Sequence, residues 1–202
     1  MRAVIIGYGT INDYTTLKNT VTCDDFVICA DGGYYHAQKC NIVPDLIIGD
    51  FDSSKIPDND IEKCIYPKRK DFTDSEISVM YACENGYDEI IMFGMTGTRL
   101  DHTLNNMLLL FRCKNSCIID DNNEIYPFTD KIEFVGKKGK TLSIIPINGD
   151  LCGLKTKGLD YPLNDETIHI GESRGNSNVI VDDVCEIKTK SGKGFVIISN
   201  GE

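Results

Sequence analysis

Five short apolar runs recur in the first 120 residues: Arg2 to Tyr8, Asp25 to Ala30, Leu46 to Gly49, Glu89 to Phe93 and Ser116 to Ile119. Within them apolar residues follow one another without alternating with polar ones. A strand written this way must be covered on both faces, and helices are the usual cover. Helical signals lie between the runs. Thr73-Asp74-Ser75-Glu76 reads as a capping box, with Asn85-Gly86 as the stop of the helix it opens. Leu104, Met107, Leu108 and Phe111 follow helical spacing and predict a second amphipathic helix that turns this face to the core. Strand, helix and strand in repetition imply a mostly parallel, Rossmann-like α/β sheet.

The pattern changes after Asp120-Asp121-Asn122-Asn123. Lys131 to Val135, Thr141 to Ile147, Thr167 to Ile170, Val179 to Val181, Val184 to Thr189 and Phe195 to Ser199 are short strand-like runs separated by turn signals such as Ser191-Gly192-Lys193-Gly194. No helix of useful length is expected there. The expectation is an N-terminal α/β domain over residues 1–124 and a C-terminal antiparallel β-sandwich-like domain over residues 125–202, with the boundary near residues 121–128. A length of 202 residues suits two small domains or one large one.

Bulk properties narrow the function. The formal net charge is −10, which disfavours nucleic acid as a partner because phosphates need a basic surface. An acidic chain still binds a polyphosphate when a divalent cation bridges the two. No apolar run approaches the ~20 residues that span a bilayer, and the N-terminal run is too short for a signal-peptide core. The nine cysteines are scattered without metal-site spacing, so they read as reduced packing residues of a cytoplasmic protein.

Four segments then carry chemistry, each at or after a strand end, where open α/β sheets bind ligands. In Ala30-Asp31-Gly32-Gly33, a carboxylate precedes two glycines that let backbone approach a ligand; alone, a plain turn is the better reading. In Ile48-Gly49-Asp50-Phe51-Asp52-Ser53, Asp50 and Asp52 point to one side of an extended segment, and a bound cation would hold both ionised. A solvated acidic turn fits that segment equally well. In Lys68-Arg69-Lys70-Asp71-Phe72-Thr73-Asp74, cations precede a helix start, and both features favour phosphate. The carboxylates there also suit simple capping. Gly94-Met95-Thr96-Gly97-Thr98-Arg99-Leu100-Asp101-His102 follows a strand and opens a helix, with glycines and a threonine to cradle phosphate and Arg99 as the charge partner. It lacks the Gly-Lys-Ser/Thr of a Walker A loop. Together the four segments suit Mg²⁺-nucleotide chemistry better than four unrelated turns.

On these motifs the sequence resembles the thiamine pyrophosphokinase family. The likeness extends to Pro44-Asp45-Leu46 ahead of the acidic pair and to the late Ser173-Arg174-Gly175-Asn176-Ser177-Asn178 segment, and it covers essentially the whole chain. It implies diphosphoryl transfer from ATP to the hydroxyl of thiamine, Mg²⁺ as cofactor, and a homodimer. Asp50, Asp52 and Asp74 resemble the metal-holding carboxylates, and Asp71 or Asp74 would take the hydroxyl proton beside Arg99. Asp31, Gly32, Gly33, Lys70, Thr73, Gly94, Thr96, Gly97, Arg99, Asp101 and His102 would surround ATP. Asn105, Ser173, Gly175, Ser177 and Asn178 would contact thiamine. The chain has no Trp, so stacking on thiamine falls to Tyr or Phe. Two rival readings are an Asp-dependent phosphatase built on Asp50-Phe51-Asp52 and a non-enzymatic nucleotide-sensing module.

Overall fold

The computed structural model describes residues 1–49, 60–67 and 71–199. The chain divides into two compact units, Met1–Asp121 and Asn122–Glu202. The first contains β1 (Arg2–Ile6), α1 (Thr15–Thr20), β2 (Phe26–Ala30), α2 (Gly33–Lys39), β3 (Leu46–Gly49), β4 (Glu62–Ile65), α3 (Asp74–Glu84), β5 (Glu89–Phe93), α4 (Leu100–Leu109), a 3-10 turn at Leu110–Arg112 and β6 (Ser116–Ile119). All six strands run parallel in the order β6-β5-β1-β2-β3-β4.

The central strands are buried residue after residue: Ala3, Val4, Ile5 and Ile6 are each 0% exposed, as are Leu46, Ile47 and Ile48. Uninterrupted burial is what the unbroken apolar runs require of a sheet covered on both faces. From β1 the chain moves one way, to β2, β3 and β4, then returns to β5 and β6 on the other side. The order therefore reverses beside β1, and the strand ends diverge there into a crevice.

The amino ends of β1 and β2 are tied by Arg2. Its Nε donates to Asp25 Oδ1 at 2.6 Å, and its Nη2 to Asp25 Oδ2 at 2.7 Å and to the Thr20 carbonyl at 2.9 Å. Asp25 also accepts from the Thr22 N–H at 2.7 Å. The Arg2 guanidinium holds the Asp25 carboxyl below its ordinary range.

Four expectations change in this unit. β4 is unpredicted because Glu62-Lys63-Cys64-Ile65 is an edge strand, paired only with β3 and partly exposed. Asp31-Gly32-Gly33 is not a plain turn, since Gly32 caps α2 and Gly33 begins it. The expected face of α4 is only partly turned inward: Leu104 and Leu108 are 61% and 49% exposed and Met107 and Phe111 are half-buried, whereas Asn106 and Leu109 are buried. The expected set of nine reduced cysteines is also corrected at Cys83 and Cys113, which form a disulfide with Cα atoms 6.5 Å apart. The fold brings the pair together across 30 residues of sequence, beyond the reach of a spacing argument.

The second unit contains β7 (Asn123–Phe128), β8 (Lys131–Val135), β9 (Thr141–Pro146), β10 (Leu151–Lys157), β11 (Asn164–Ile168), β12 (Asn178–Val179), β13 (Val184–Lys188) and β14 (Gly194–Ser199). Within it β12-β9-β14-β7 and β11-β10-β13-β8 are antiparallel sheets. Both sheets contribute to one apolar core that includes Phe128, Leu142, Ile144, Leu154, Ile187 and Val196. β7 and β10 are unpredicted. β7 carries Pro127 and falls where a linker is expected, and β10 is broken by Gly153 at φ +66° and by register shifts against β11. Among the described residues no helix is long and apolar enough to cross a membrane.

The Arg2–Asp25 clamp gives a pH-dependent prediction. A carboxyl with a depressed folded pKa stabilises above its unfolded pKa, and this contribution is lost as pH falls through the folded value. Asp25→Asn is expected to lower unfolding free energy by roughly 1.5–3 kcal/mol at pH 7, the range for charge-assisted hydrogen bonds. Urea titrations should show the gap from wild type closing below about pH 4.

Candidate active site

A cavity of about 520 Å³ opens at the carboxyl ends of β1, β2 and β5, where the strand order reverses. Four stretches line it, and each leaves a strand or starts a helix. Tyr8, Gly9 and Thr10 follow β1, Asp31 follows β2, Thr73, Asp74 and Ser75 open α3, and residues 94–99 lead from β5 into α4, which adds His102, Thr103 and Asn106.

The walls depend on close backbone contact. The Gly7 N–H donates to the Phe93 carbonyl at 2.8 Å, Gly9 to Gly94 at 2.7 Å and Thr10 to Thr96 at 2.8 Å. A Cβ at Gly7 or Gly9 would run into the Gly94 carbonyl, and Gly94 itself sits at φ +63°. These glycines bring the loops after β1 and β5 together as one wall.

The residues of 94–99 are further held from α4. Asn106 is buried, and its Nδ2 donates to the Met95 carbonyl at 2.8 Å. The Thr103 hydroxyl accepts from the Gly97 N–H at 3.2 Å. These bonds explain the altered face of the helix: part of the inward stripe must carry polar side chains that satisfy loop backbone, so Leu100, Leu104 and Leu108 face out. Thr96 Oγ1 donates to Asp120 Oδ2 at 3.2 Å, fixing the loop to the end of β6.

Asp31 projects from a strained position, with φ 46°, while its N–H donates to the Ile48 carbonyl at 2.7 Å. Gly49 makes room for it, since a Cβ there would lie 3.1 Å from Asp31 Cα. An aspartate in the left-handed region at the end of a buried strand is the kind of strain that gathers at functional sites. Gly32 and Gly33 meet a packing demand. A Cβ at Gly33 would collide with the Ile6 carbonyl and one at Gly32 with the Tyr8 ring, so both serve the packing of α2 against the end of β1.

At α3 the Thr73 hydroxyl accepts from the Glu76 N–H at 3.1 Å, the expected cap. Glu76 does not close the box, because its carboxylate takes Arg112 at 2.7 Å. The helix start thus brings a positive dipole end and the Asp74 carboxylate to one side of the cavity. At α4 the N-cap is Arg99, whose guanidinium forks onto Asp101 with Nη2–Oδ2 at 2.6 Å and Nε–Oδ1 at 3.3 Å. The hydrogen bond from Arg99 holds the Asp101 carboxyl below its ordinary range.

Of the sequence candidates, Asp31, Thr73, Asp74, Gly94, Thr96, Gly97, Arg99 and His102 line this one cavity. Asp101 is not a lining residue but orients Arg99, and Asp71 and Asn105 are exposed and also off the lining. Asp50, Asp52 and Lys70 lie outside the described residues. In the second unit, Asn178 is already engaged, accepting from the Tyr161 and Val179 N–H groups at 3.0 and 2.9 Å and donating to the Tyr161 carbonyl at 2.7 Å. Ser177 sits at φ 56° with its N–H on Ser143 Oγ, the Gly175 carbonyl accepts from the Ile144 N–H at 2.9 Å, and Ser173 is exposed. Tyr8, Thr10, Thr103 and Asn106 are lining residues that motif reading misses. The polar pair Thr103 and Asn106, three apart on a helix, was the available signal.

Among the described residues no group of three or more His, Cys, Asp or Glu side chains is placed to hold a metal. Mg²⁺ does not require one, since it takes one or two carboxylates, substrate phosphates and water. Asp31 and Asp74 bring hard oxygen donors from two separate elements into the same cavity, and that donor chemistry fits Mg²⁺.

Comparison with known proteins agrees over most of the chain. Residues 17–119 match the family model described as thiamin pyrophosphokinase, catalytic domain, and residues 129–193 match the thiamin pyrophosphokinase, vitamin B1 binding domain. A thiamine pyrophosphokinase of Bacillus subtilis is 32% identical over 166 residues, which cover 76% of this chain and 78% of that protein. The crystal structure of a Bacillus subtilis thiamine pyrophosphokinase superposes with a TM-score of 0.88 at 26% identity, covering 100% of both chains. The thiamin pyrophosphokinase from Geobacillus thermodenitrificans superposes with a TM-score of 0.87 at 25% identity, covering 100% of this chain and 99% of that one.

Proposed function

The chain belongs to the thiamin pyrophosphokinase family, an enzyme family that makes thiamine diphosphate from thiamine, and on that premise we propose that the cavity beyond β1, β2 and β5 is its ATP site. The observation that carries the proposal is the meeting of Asp31, Asp74 and the residue 94–99 loop in one crevice at the reversal of strand order. A triphosphate needs cationic and N–H partners on one side and a metal-binding carboxylate on the other, and this crevice offers both.

In this reading the residue 94–99 loop and the α4 start cradle phosphate oxygens, with Arg99 turned toward them from its place beside Asp101. Asp74 and Asp31, with Asp50 and Asp52 that follow β3 in sequence, would hold Mg²⁺. The metal, when bound, neutralises phosphate charge as the new bond forms. The thiamine hydroxyl oxygen bonds to the β-phosphorus, the bond from that phosphorus to the α,β-bridging oxygen breaks, and AMP departs with it. A carboxylate at the α3 start, Asp74 or Asp71, takes the hydroxyl proton. Catalysis by alignment and charge neutralisation asks the protein for rigid walls, and glycine-to-glycine backbone contact supplies them.

Thiamine contacts fall to Asn105 and to Ser173, Gly175, Ser177 and Asn178. Asn178 acts by fixing the Tyr161 loop and not by presenting a free amide. The assembly in this reading is a cytoplasmic homodimer. Leu100, Leu104 and Leu108 support it: they form one stripe on α4, four residues apart, and exposed apolar surface of that continuity marks an interaction face.

The direct test is product analysis. With ATP, Mg²⁺ and thiamine, the expected products are AMP and thiamine diphosphate in equal amounts, and ADP with thiamine monophosphate would overturn the reading. Asp74→Asn should fold with stability within a few tenths of a kcal/mol of wild type. It should lose at least about 10²–10³ in kcat, measured by steady-state kinetics across a Mg²⁺ titration. Light scattering should find a dimer, and Leu104→Asp should shift it toward monomer with loss of activity; a fully active wild-type monomer contradicts the dimer.

A further inference from the structure

The wall formed by Tyr8, Gly9 and Thr10 has a support behind it that the reaction chemistry does not use. α2 carries His36, only 5% exposed, on its buried side. His36 Nε2 lies 2.9 Å from the Gly9 carbonyl, and Nδ1 lies 2.8 Å from the Tyr14 hydroxyl. A carbonyl oxygen only accepts, so Nε2 must carry the proton, and the neutral ring then accepts the Tyr14 O–H at Nδ1. Tyr14 itself is fixed as the N-cap residue of α1.

The imidazole is packed among three tyrosine rings, with centroids at 5.9 Å for Tyr8, 5.7 Å for Tyr14 and 5.5 Å for Tyr35. Burial pushes its pKa below the ordinary histidine value, with the Gly9 carbonyl pulling weakly the other way. The ring therefore stays neutral near pH 7 and keeps the one tautomer that serves both bonds. Gly9 matters because its N–H is bonded to the Gly94 carbonyl while its own carbonyl is bonded to His36. It is pinned from both sides, and the next bond along, Thr10 to Thr96, reaches the middle of the loop that faces the cavity.

We propose that His36, oriented by Tyr14, is a positioning residue for the nucleotide: it locks Gly9, and with it the joined Tyr8–Thr10 and residue 94–97 walls, in the shape that receives ATP. The inference rests on the proposed ATP site. Its effect should fall on nucleotide affinity, since both walls belong to that cavity, and only weakly on thiamine.

Three variants test it. His36→Phe keeps the bulk but removes the donor to Gly9. His36→Gln places an amide N–H where Nε2 stood. Tyr14→Phe removes the hydroxyl that selects the tautomer. His36→Phe is expected to raise KM for ATP about tenfold, with KM for thiamine and kcat changed less than about threefold. His36→Gln should recover most of that loss, and Tyr14→Phe should fall between them. Calorimetric binding of a non-hydrolysable ATP analogue should follow the same order. If that order appears while wild type makes no thiamine diphosphate, the activity assignment fails and the positioning role stands. The proposal is overturned if ATP KM and analogue affinity stay within twofold of wild type in His36→Phe. It is equally overturned if both KM values rise while kcat and the melting temperature fall together, or if His36→Gln is no better than His36→Phe. Should His36→Phe fail to fold, a selective rise in ATP KM in Tyr14→Phe supports the proposal and its absence overturns it.

Discussion

The candidate site depends on one close contact: the backbone after β1 lies directly against the backbone after β5. The bonds from Gly7 to Phe93, Gly9 to Gly94 and Thr10 to Thr96 extend the β1–β5 pairing past the ends of the strands. A parallel sheet whose order reverses beside β1 leaves a crevice in any case. What gives this crevice its floor and walls is the lack of a Cβ at Gly7, Gly9 and Gly94, where the two backbones come closest. A single methyl at Gly9 would meet the carbonyls of both Gly94 and Thr96. Around this contact the other parts take their places: Asp31 beside Gly49, α2 pressed onto β1 through Gly33, and His36 behind Gly9.

Helix α4 shows how local function overrides the usual partition of residues. Its inward stripe carries Thr103 and Asn106 because the loop before it exposes N–H and C=O groups that need partners away from water. The leucines that a generic amphipathic helix would bury are left on the outside. The helix thus has two roles on opposite faces, one holding the residue 94–99 loop and one offering an apolar stripe. A similar trade occurs in the second unit, where the Asn178 side chain spends its hydrogen bonds on the Tyr161 and Val179 backbone.

Charge is unevenly distributed over this acidic chain. Several of the carboxylates away from the cavity are paired, as Asp25 with Arg2, Glu76 with Arg112 and Asp150 with His169. Asp31 and Asp74 line the cavity, together with Arg99 and the starts of two helices. The cavity thus brings carboxylates, one guanidinium and two helix starts into a single lining.

The sequence by itself determined the layer architecture and the motif positions. Unbroken apolar runs such as Ala3-Val4-Ile5-Ile6 admit only a doubly covered sheet, and the alternation lost after residue 120 admits only a β unit. The Thr73 cap, and the cavity positions of Asp31, Asp74 and residues 94–99, were legible because strand ends and helix starts are local features. Other features were not legible. β4 and β10 are strands by virtue of partners, not of their own pattern, since Glu62-Lys63-Cys64-Ile65 and the Gly153 bulge carry weak local signals. The Cys83–Cys113 pairing and the His36–Gly9–Tyr14 chain join residues 30, 27 and 22 positions apart. Which face of α4 turns inward was decided by the hydrogen-bonding needs of a loop that the helix meets only after folding. Local periodicity records the burial a segment can achieve; only the tertiary structure decides which backbone groups must be satisfied there, and that demand placed Asn106 inside and Leu104 outside.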